Sequence, residues 1–317
     1  MGQKINANIF RLGHNNFEWQ TKYVTSTTEE SSLLLYKDLE VKTYIKQCLS
    51  NYGLILHNYK NHFNENSMYI SISYLITNSS IVLINKKNLD EKIKLKKNQI
   101  TINSSYYKKD LKVLKRLHLL RKYKTYEKQK FFENKDKKFK NNFTQQLLEG
   151  LNLFYKNQIN IFINMQCLNT GLSLKLKKKE QTDWRKKMLL LKRYSKLPVF
   201  DETVNVLITA SKFSKSAQLV ADFVAKKLPT FKRQSYFLIF LKQVLKLTVY
   251  SSTSNIQGIK MIIKGRFNGA PRARKNTLLV GKVPIQTLSQ KINNYQSTAF
   301  SSNGTFGVTV WICEKIY

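Results

Sequence analysis

Cysteine, histidine, proline, glycine and acid are all scarce in this chain of 317 residues. Cys48, Cys167 and Cys313 are far apart, odd in number and form no CxxC pair, which excludes a zinc ribbon or a disulfide framework and leaves reduced core thiols. His14, His57, His62 and His118 lack metal-ligand spacing, so no metal or other cofactor is expected. The 19 acidic residues form no spaced carboxylate cluster, and there is no P-loop, HExxH or GxSxG. No enzyme is expected, and Asp201-Glu202 reads as an isolated pair that caps or flanks a helix. The longest apolar run, Tyr236 to Tyr250, is interrupted by Lys242 and Lys246 and is too short to span a membrane. The first residues show neither an apolar signal core nor an Arg- and Ser-rich leader, so no import signal is expected.

What is abundant is positive charge. Lys and Arg number 55, for a formal net charge of +36, while 42% of residues are hydrophobic. Such a chain repels itself unless a polyanion neutralises it, yet it holds enough apolar residues to fold, as two or three domains at this length. With 11 Gly and 4 Pro, and with Asn, Lys, Ile, Tyr and Phe crowded in, the composition has the bias of a skewed genome. A mitochondrial gene is the expected source, and an intracellular bacterium with a similar genome is the alternative.

The segment from Gly258 to Cys313 carries most of the information. Ile259, Met261 and Ile263 alternate with Lys260, Ile262 and Lys264, and Val308, Val310 and Ile312 alternate with Thr309 and Trp311, the period of strands. Between them lie a basic, glycine-containing turn from Arg266 to Lys275 and a break at Gly281-Lys282-Val283-Pro284. Five elements stand in order: Gly258-Ile259-Lys260; Gly265-Arg266 with Gly269-Ala270; Ala273-Arg274; Gly281-Lys282-Val283-Pro284; and Gly307-Val308-Thr309-Val310-Trp311-Ile312. This tail resembles the C-terminal domain of the small-subunit ribosomal protein S-three family. The opening Met1-Gly2-Gln3-Lys4, with Arg11-Leu12-Gly13 after it, resembles the start of the same family.

Along the rest of the chain, Leu39, Val41, Ile45 and Leu49 predict an amphipathic helix over 38–49. Gly53 to His57 and Met68 to Ile76 predict two strands. Ile81 to Ile84 then runs into Asn85-Lys86-Lys87-Asn88 and a helix-like Leu89 to Ile93. This order resembles a type II KH domain in which Asn85 and Asn88 stand for the two loop glycines. Asn tolerates left-handed backbone, but its side chain obstructs the close phosphate approach that glycine permits. Residues 106–142 are Lys-rich with interleaved Tyr and Phe, either an RNA-contacting insertion or a solvated one. A helix from Phe143 to Tyr155 and a strand from Gln158 to Met165 follow, then a second basic run over 174–196, read as a surface linker on RNA.

Ser214 to Leu228 is similar to the family's first C-terminal helix, and Pro229 breaks it before a second helix over about 231–248. In the family that second helix lines the path of incoming mRNA with basic residues. Here Gln234, Ser235, Tyr236 and Ile239 stand at those places, with Lys232 and Arg233 one turn away.

The resemblance implies an α/β (α+β) chain in four parts. These are an arm over 1–36, a KH-like domain over 37–170 holding the 106–142 insertion, a basic linker over 171–212, and a C-terminal domain over 213–317 with two helices on about four mainly antiparallel strands. It implies a structural constituent of the small ribosomal subunit, in the head near incoming mRNA. Expected partners are small-subunit rRNA, mRNA, neighbouring proteins of the S-ten and S-fourteen type, and lineage-specific mitoribosomal proteins, with no membrane. The expected RNA-binding residues are Lys4, Arg11, Lys86, Lys87, Lys232, Arg233, Arg266, Arg272, Arg274 and Lys275. A free-standing organellar RNA-binding or RNA-processing factor is the alternative.

Overall fold

The computed structural model describes residues 5–13, 19–64, 66–77, 80, 143–169, 178–195, 197–211, 216–251, 254–270 and 274–315. The expected Asn85–Asn88 loop, the 106–142 insertion, Lys4 and Arg272 lie outside them.

A short helix α1 (Ala7–Phe10) and strand β1 (Thr21–Lys22) precede the long helix α2 (Thr28–Asn51). The helix expected from 38 begins ten residues earlier than its apolar stripe suggests. Thr27 accepts a hydrogen bond from the Glu30 amide, and the Glu30 carboxylate accepts from the Ser26 amide and hydroxyl, a box that fixes the start. The first turns carry exposed Leu33, Leu35 and Tyr36, which blur the helical period in the sequence. Val41, Ile45 and Leu49 are buried as expected, but Leu39 is exposed and Asp38 takes the inward place. That carboxylate is compensated by three donors, Tyr59 Oη at 2.7 Å, Asn61 Nδ2 at 2.8 Å and Thr21 Oγ1 at 3.0 Å.

Strands β2 (Ile55–Phe63) and β3 (Ser67–Leu75) form an antiparallel pair; a helix α3 over 143–154 leads to β4 (Asn160–Cys167), which lies parallel to β3. The first sheet has the order β1-β2-β3-β4. Its inner face, including Leu56, Tyr59, Met68, Ile70 and Ile72, packs against α2 and against Phe143, Leu147 and Leu151 of α3. The helix–strand–strand order expected of a KH-like unit is present.

The expected basic linker is corrected by the structure. Its described part holds helix α4 (Lys178–Leu189) and helix α5 (Phe200–Thr209), and Trp184, Leu191, Tyr194, Val204 and Leu207 sit in the core of the second unit. Charged residues dominate the run, but the few large apolar ones are spaced to face inward, which outweighs composition.

Helix α6 (Ala217–Lys227), capped by Ser216 on the Leu219 amide, and helix α7 (Gln234–Val249) then lie on a sheet of β5 (Ile256–Gly265), β6 (Arg274–Gly281), β7 (Ile292–Ser301) and β8 (Gly304–Glu314). All pairings are antiparallel, in the order β6-β5-β8-β7. Ile259, Met261, Ile263, Val308, Val310 and Ile312 are each no more than 2% exposed and face the helices. Each such aliphatic contributes about 1.5–3 kcal/mol. Strand β7 was not anticipated, because its sequence INNYQSTAFS is too polar to show the alternation. The break at Gly281 is needed sterically: its φ is +74°, and a Cβ there would sit 2.3 Å from the Gln257 carbonyl oxygen.

The two units share an interface. Ile55 and Leu75 enter the second core, Lys226 Nζ donates to the Gly53 carbonyl at 3.0 Å, and Lys46 Nζ lies 3.7 Å from Asp222. The arm also folds onto the second unit. The Asn8 side-chain amide donates to the Asn294 carbonyl at 2.9 Å and accepts from the Asn294 amide at 2.8 Å, pairing the edge of β7 as a neighbouring strand would.

Candidate nucleic-acid interface

The hairpin end between β5 and β6 gathers five of the expected RNA-binding residues. Antiparallel pairing sets Lys264 opposite Lys275 and Gly265 opposite Arg274. Arg266 follows directly, and its Nε donates to the Ala270 carbonyl at 2.9 Å, which fixes the guanidinium across the turn. The turn rests on Phe267, buried against Phe306 with ring centroids 5.3 Å apart. A Cβ at Gly265 would come within 2.3 Å of that Phe306 ring, so only glycine lets the strand end pass over it.

The turn is then tied to the start of α7. Gln234 donates its amide to Asn268 Oδ1 at 3.0 Å, Asn268 returns its own amide to Gln234 Oε1 at 3.1 Å, and Asn268 Nδ2 donates to Ser235 Oγ at 2.8 Å. Asn268 takes φ 54°, a left-handed conformation that Asn adopts more readily than most residues. These bonds place Lys232 and Arg233, just before α7, beside the same turn. Lys232, Arg233, Lys264, Arg266, Arg274 and Lys275 are all exposed.

Three of the unit's acids are committed elsewhere, while Asp183 and Asp201 are exposed. Glu202 pairs with Lys227 at 2.9 Å in the interior, Asp222 accepts from Ser297 Oγ at 2.7 Å and faces Lys46, and Glu314 pairs with Lys291 at 3.6 Å. Burial pushes the Asp222 carboxyl above its ordinary range, against the opposing pull of Lys46 and Ser297. Lys264 and Lys275 therefore confront each other across the strands with like charge, an arrangement that disfavours the free protein and is relieved by a polyanion. Lys264 was not singled out from sequence, although its alternation with Ile263 puts it on the outer face.

Arg11 is a correction. It is 0% exposed, and its guanidinium donates to four carbonyls: Gln290 and Ala7 at 2.9 Å, Ile285 at 2.7 Å and Thr287 at 2.6 Å. With those donors spent, it is not open to phosphate; it locks the arm onto the 285–290 loop. Positive charge in a family-like motif signalled RNA, but the planar fork equally suits a cluster of carbonyls left over by a turn. Gln234 is likewise buried in its bonds to the turn, leaving Ser235, Tyr236 and Ile239 as the exposed positions at the start of α7.

The family model described as ribosomal protein S3, C-terminal domain, matches residues 231–312, a span that includes α7, the basic turn and nearly all of the second sheet. Relatives include small ribosomal subunit protein uS3 of Kosmotoga olearia, 37% identical over 97 residues, covering 30% of this chain and 42% of that protein. Others are uS3 of Thermotoga petrophila, 35% identical over 30% of this chain and 43% of that protein, and uS3c of Chaetosphaeridium globosum, 36% identical over 34% and 41%. The chain thus spans less than half the length of the curated relatives it matches. Its C-terminal unit, with the cations gathered at the β5–β6 turn, is similar to the C-terminal domain of ribosomal protein S3.

Proposed function

We propose that this protein is a structural constituent of the small ribosomal subunit that binds rRNA through the β5–β6 hairpin end. The observation that carries this reading is the cluster of Lys264, Arg266, Arg274 and Lys275 beside Lys232 and Arg233, in a unit where Glu202, Asp222 and Glu314 are held in pairs of their own. Phosphates supply the missing counter-charge, and the guanidinium groups grip two oxygens at once. Arg272, two residues before Arg274 in the sequence, and Lys4, Lys86 and Lys87 are further phosphate contacts in this reading. The relatives' name supports placement in the small subunit, and the genome-biased composition supports an organellar ribosome, the mitochondrial one first.

In this reading Lys232 and Arg233 meet mRNA at the start of α7. Neighbouring head proteins of the S-ten and S-fourteen type, with lineage-specific mitoribosomal proteins, cover other parts of the surface. Since Tyr236 and Ile239 occupy helix positions that the family resemblance assigns to basic residues, contact with mRNA here is expected without strand separation.

The test is sedimentation of the tagged chain in its own organelle lysate, at moderate and high salt, beside small-subunit rRNA. Stoichiometric co-migration is expected, and the double change Arg266→Glu with Arg274→Glu reduces incorporation more than Lys177→Glu with Lys178→Glu. Migration in light fractions would overturn the reading in favour of a free RNA-processing factor, and equal losses from the two double variants would remove the hairpin end as the contact.

A further inference from the structure

The first sheet has an open face that none of the charged turns explains. Cross-strand register sets Lys22, His62, Tyr69 and Phe162 in one row, running from β1 across to β4. All four are exposed, Tyr69 at 47% and Phe162 at 53%. The two rings are already stacked, with centroids 4.9 Å apart and planes within 12° of parallel. Among the described residues, strand β4 is the edge of this sheet. Phe162 also lines a cleft of about 360 Å³, together with Leu148, Asn152, Asn157, Ile159, Asn160 and Ile161. Asn157 of this lining and its neighbour Lys156 take φ 58° and 51°, left-handed conformations that are uncommon outside glycine and cluster at binding sites.

We propose that this cleft seats an unpaired RNA base, stacked on Phe162 as the next member of the ring stack and hydrogen-bonded at its edge by the asparagine amides. Adjacent strands stand about 4.8 Å apart, so a base added at the sheet edge continues a stack that the protein has begun. Amide side chains offer donors and acceptors together, which suits the mixed edge of a base. Lys22 and Lys156 supply cations for the flanking phosphates, and no Asp or Glu stands on β2, β3 or β4. That charge balance favours RNA over an acid-poor protein surface as the occupant. The inference extends the RNA-binding reading to a second surface, one that takes single strands by stacking rather than by charge.

The experiment uses the full-length chain with a short single-stranded RNA carrying 4-thiouridine, at high salt, where phosphate contacts weaken and stacking persists. Crosslinks are expected in the peptides containing Phe162 and Tyr69. Phe162→Leu weakens binding roughly tenfold while Phe162→Tyr preserves it, and duplex RNA of the same length competes poorly. Asn160→Ala costs a few fold and alters the preference among bases. Unchanged affinity in Phe162→Leu, or crosslinks confined to the β5–β6 hairpin, would overturn the proposal. So would a Phe162→Leu chain that binds the oligonucleotide normally but loses a neighbouring protein from assembled subunits. Should the chain fail to enter subunits yet keep these crosslinks, the ribosomal reading fails and this one stands.

Discussion

Each of the two units is a four-stranded sheet with helices on one face, yet they present opposite surfaces. In the C-terminal unit the strands are sequential antiparallel neighbours or nearly so, Glu202 and Glu314 are held in ion pairs, and positive charge accumulates at one hairpin end. In the N-terminal unit a parallel strand, separated from its partner by a long stretch of chain, completes the sheet and exposes a row of rings. Local pairing fixes a turn and so can aim several cations at one place. Distant pairing instead brings side chains together across strands, where planar groups 4.9 Å apart stack. On the proposed reading, RNA recognition has a salt-sensitive part at the hairpin end and a salt-tolerant part at the ring stack.

The largest expected effect breaks the C-terminal unit from within. Lys227 and Glu202 form an ion pair that is almost wholly buried, with side chains 12% and 3% exposed. Lys227→Met leaves the carboxylate buried and unpaired, at a cost of about 3–5 kcal/mol. Hydrogen exchange should then show protection lost first in β5–β8, with β2–β4 following. Adding Glu202→Gln restores most of the loss. Gly281→Ala comes next, about 2 kcal/mol from the left-handed backbone alone, before the clash with Gln257 is counted. Urea unfolding measures both.

The charge comparison is sharpened by salt. Arg274→Ala with Lys275→Ala should lower the slope of log affinity against log salt by about two for rRNA fragments, uniformly across sequences. Phe162→Leu should leave that slope unchanged while lowering single-strand affinity. A slope change in Phe162→Leu would mean that the two surfaces are not separable.

How much of this was legible beforehand follows the same division. The C-terminal strands announced themselves because Ile259, Met261, Ile263, Val308 and Val310 alternate strictly, and Gly258, Gly265 and Gly281 mark places where a Cβ would meet backbone or a ring. Strand β7 was hidden, since an edge strand with polar outer residues carries no alternation. The basic stretch before α5 looked like a linker because Trp184, Leu191 and Tyr194 are few among many lysines, although they alone decide where it packs. Arg11 was misread for want of the carbonyls around it, and no local pattern reveals four acceptors drawn from another part of the chain. The Tyr69–Phe162 stack depends on a register between strands more than eighty residues apart, which spacing along the chain does not encode.

The smallest expected effect reverses the sign of the first and belongs to the N-terminal unit. Tyr155 is buried near Asp38, and its hydroxyl has no hydrogen-bond partner among the described residues. Burial, with the nearby Asp38 carboxylate, raises its pKa to about 12, and burial raises Tyr59 in the same direction. A folded tyrosine that keeps its proton where the unfolded chain has lost it gives a stability that is present below the ordinary value and lost as pH rises. The window here runs from about 10 to about 12. Tyr155→Phe removes both the unsatisfied hydroxyl and this titration. It should therefore raise stability at neutral pH by about 1 kcal/mol and flatten the alkaline loss. Urea midpoints across that window, followed through hydrogen exchange in β2–β4, check it; a neutral-pH loss on Tyr155→Phe would mean that the hydroxyl has an acceptor after all, and that Asp38 shares its charge with four donors rather than three.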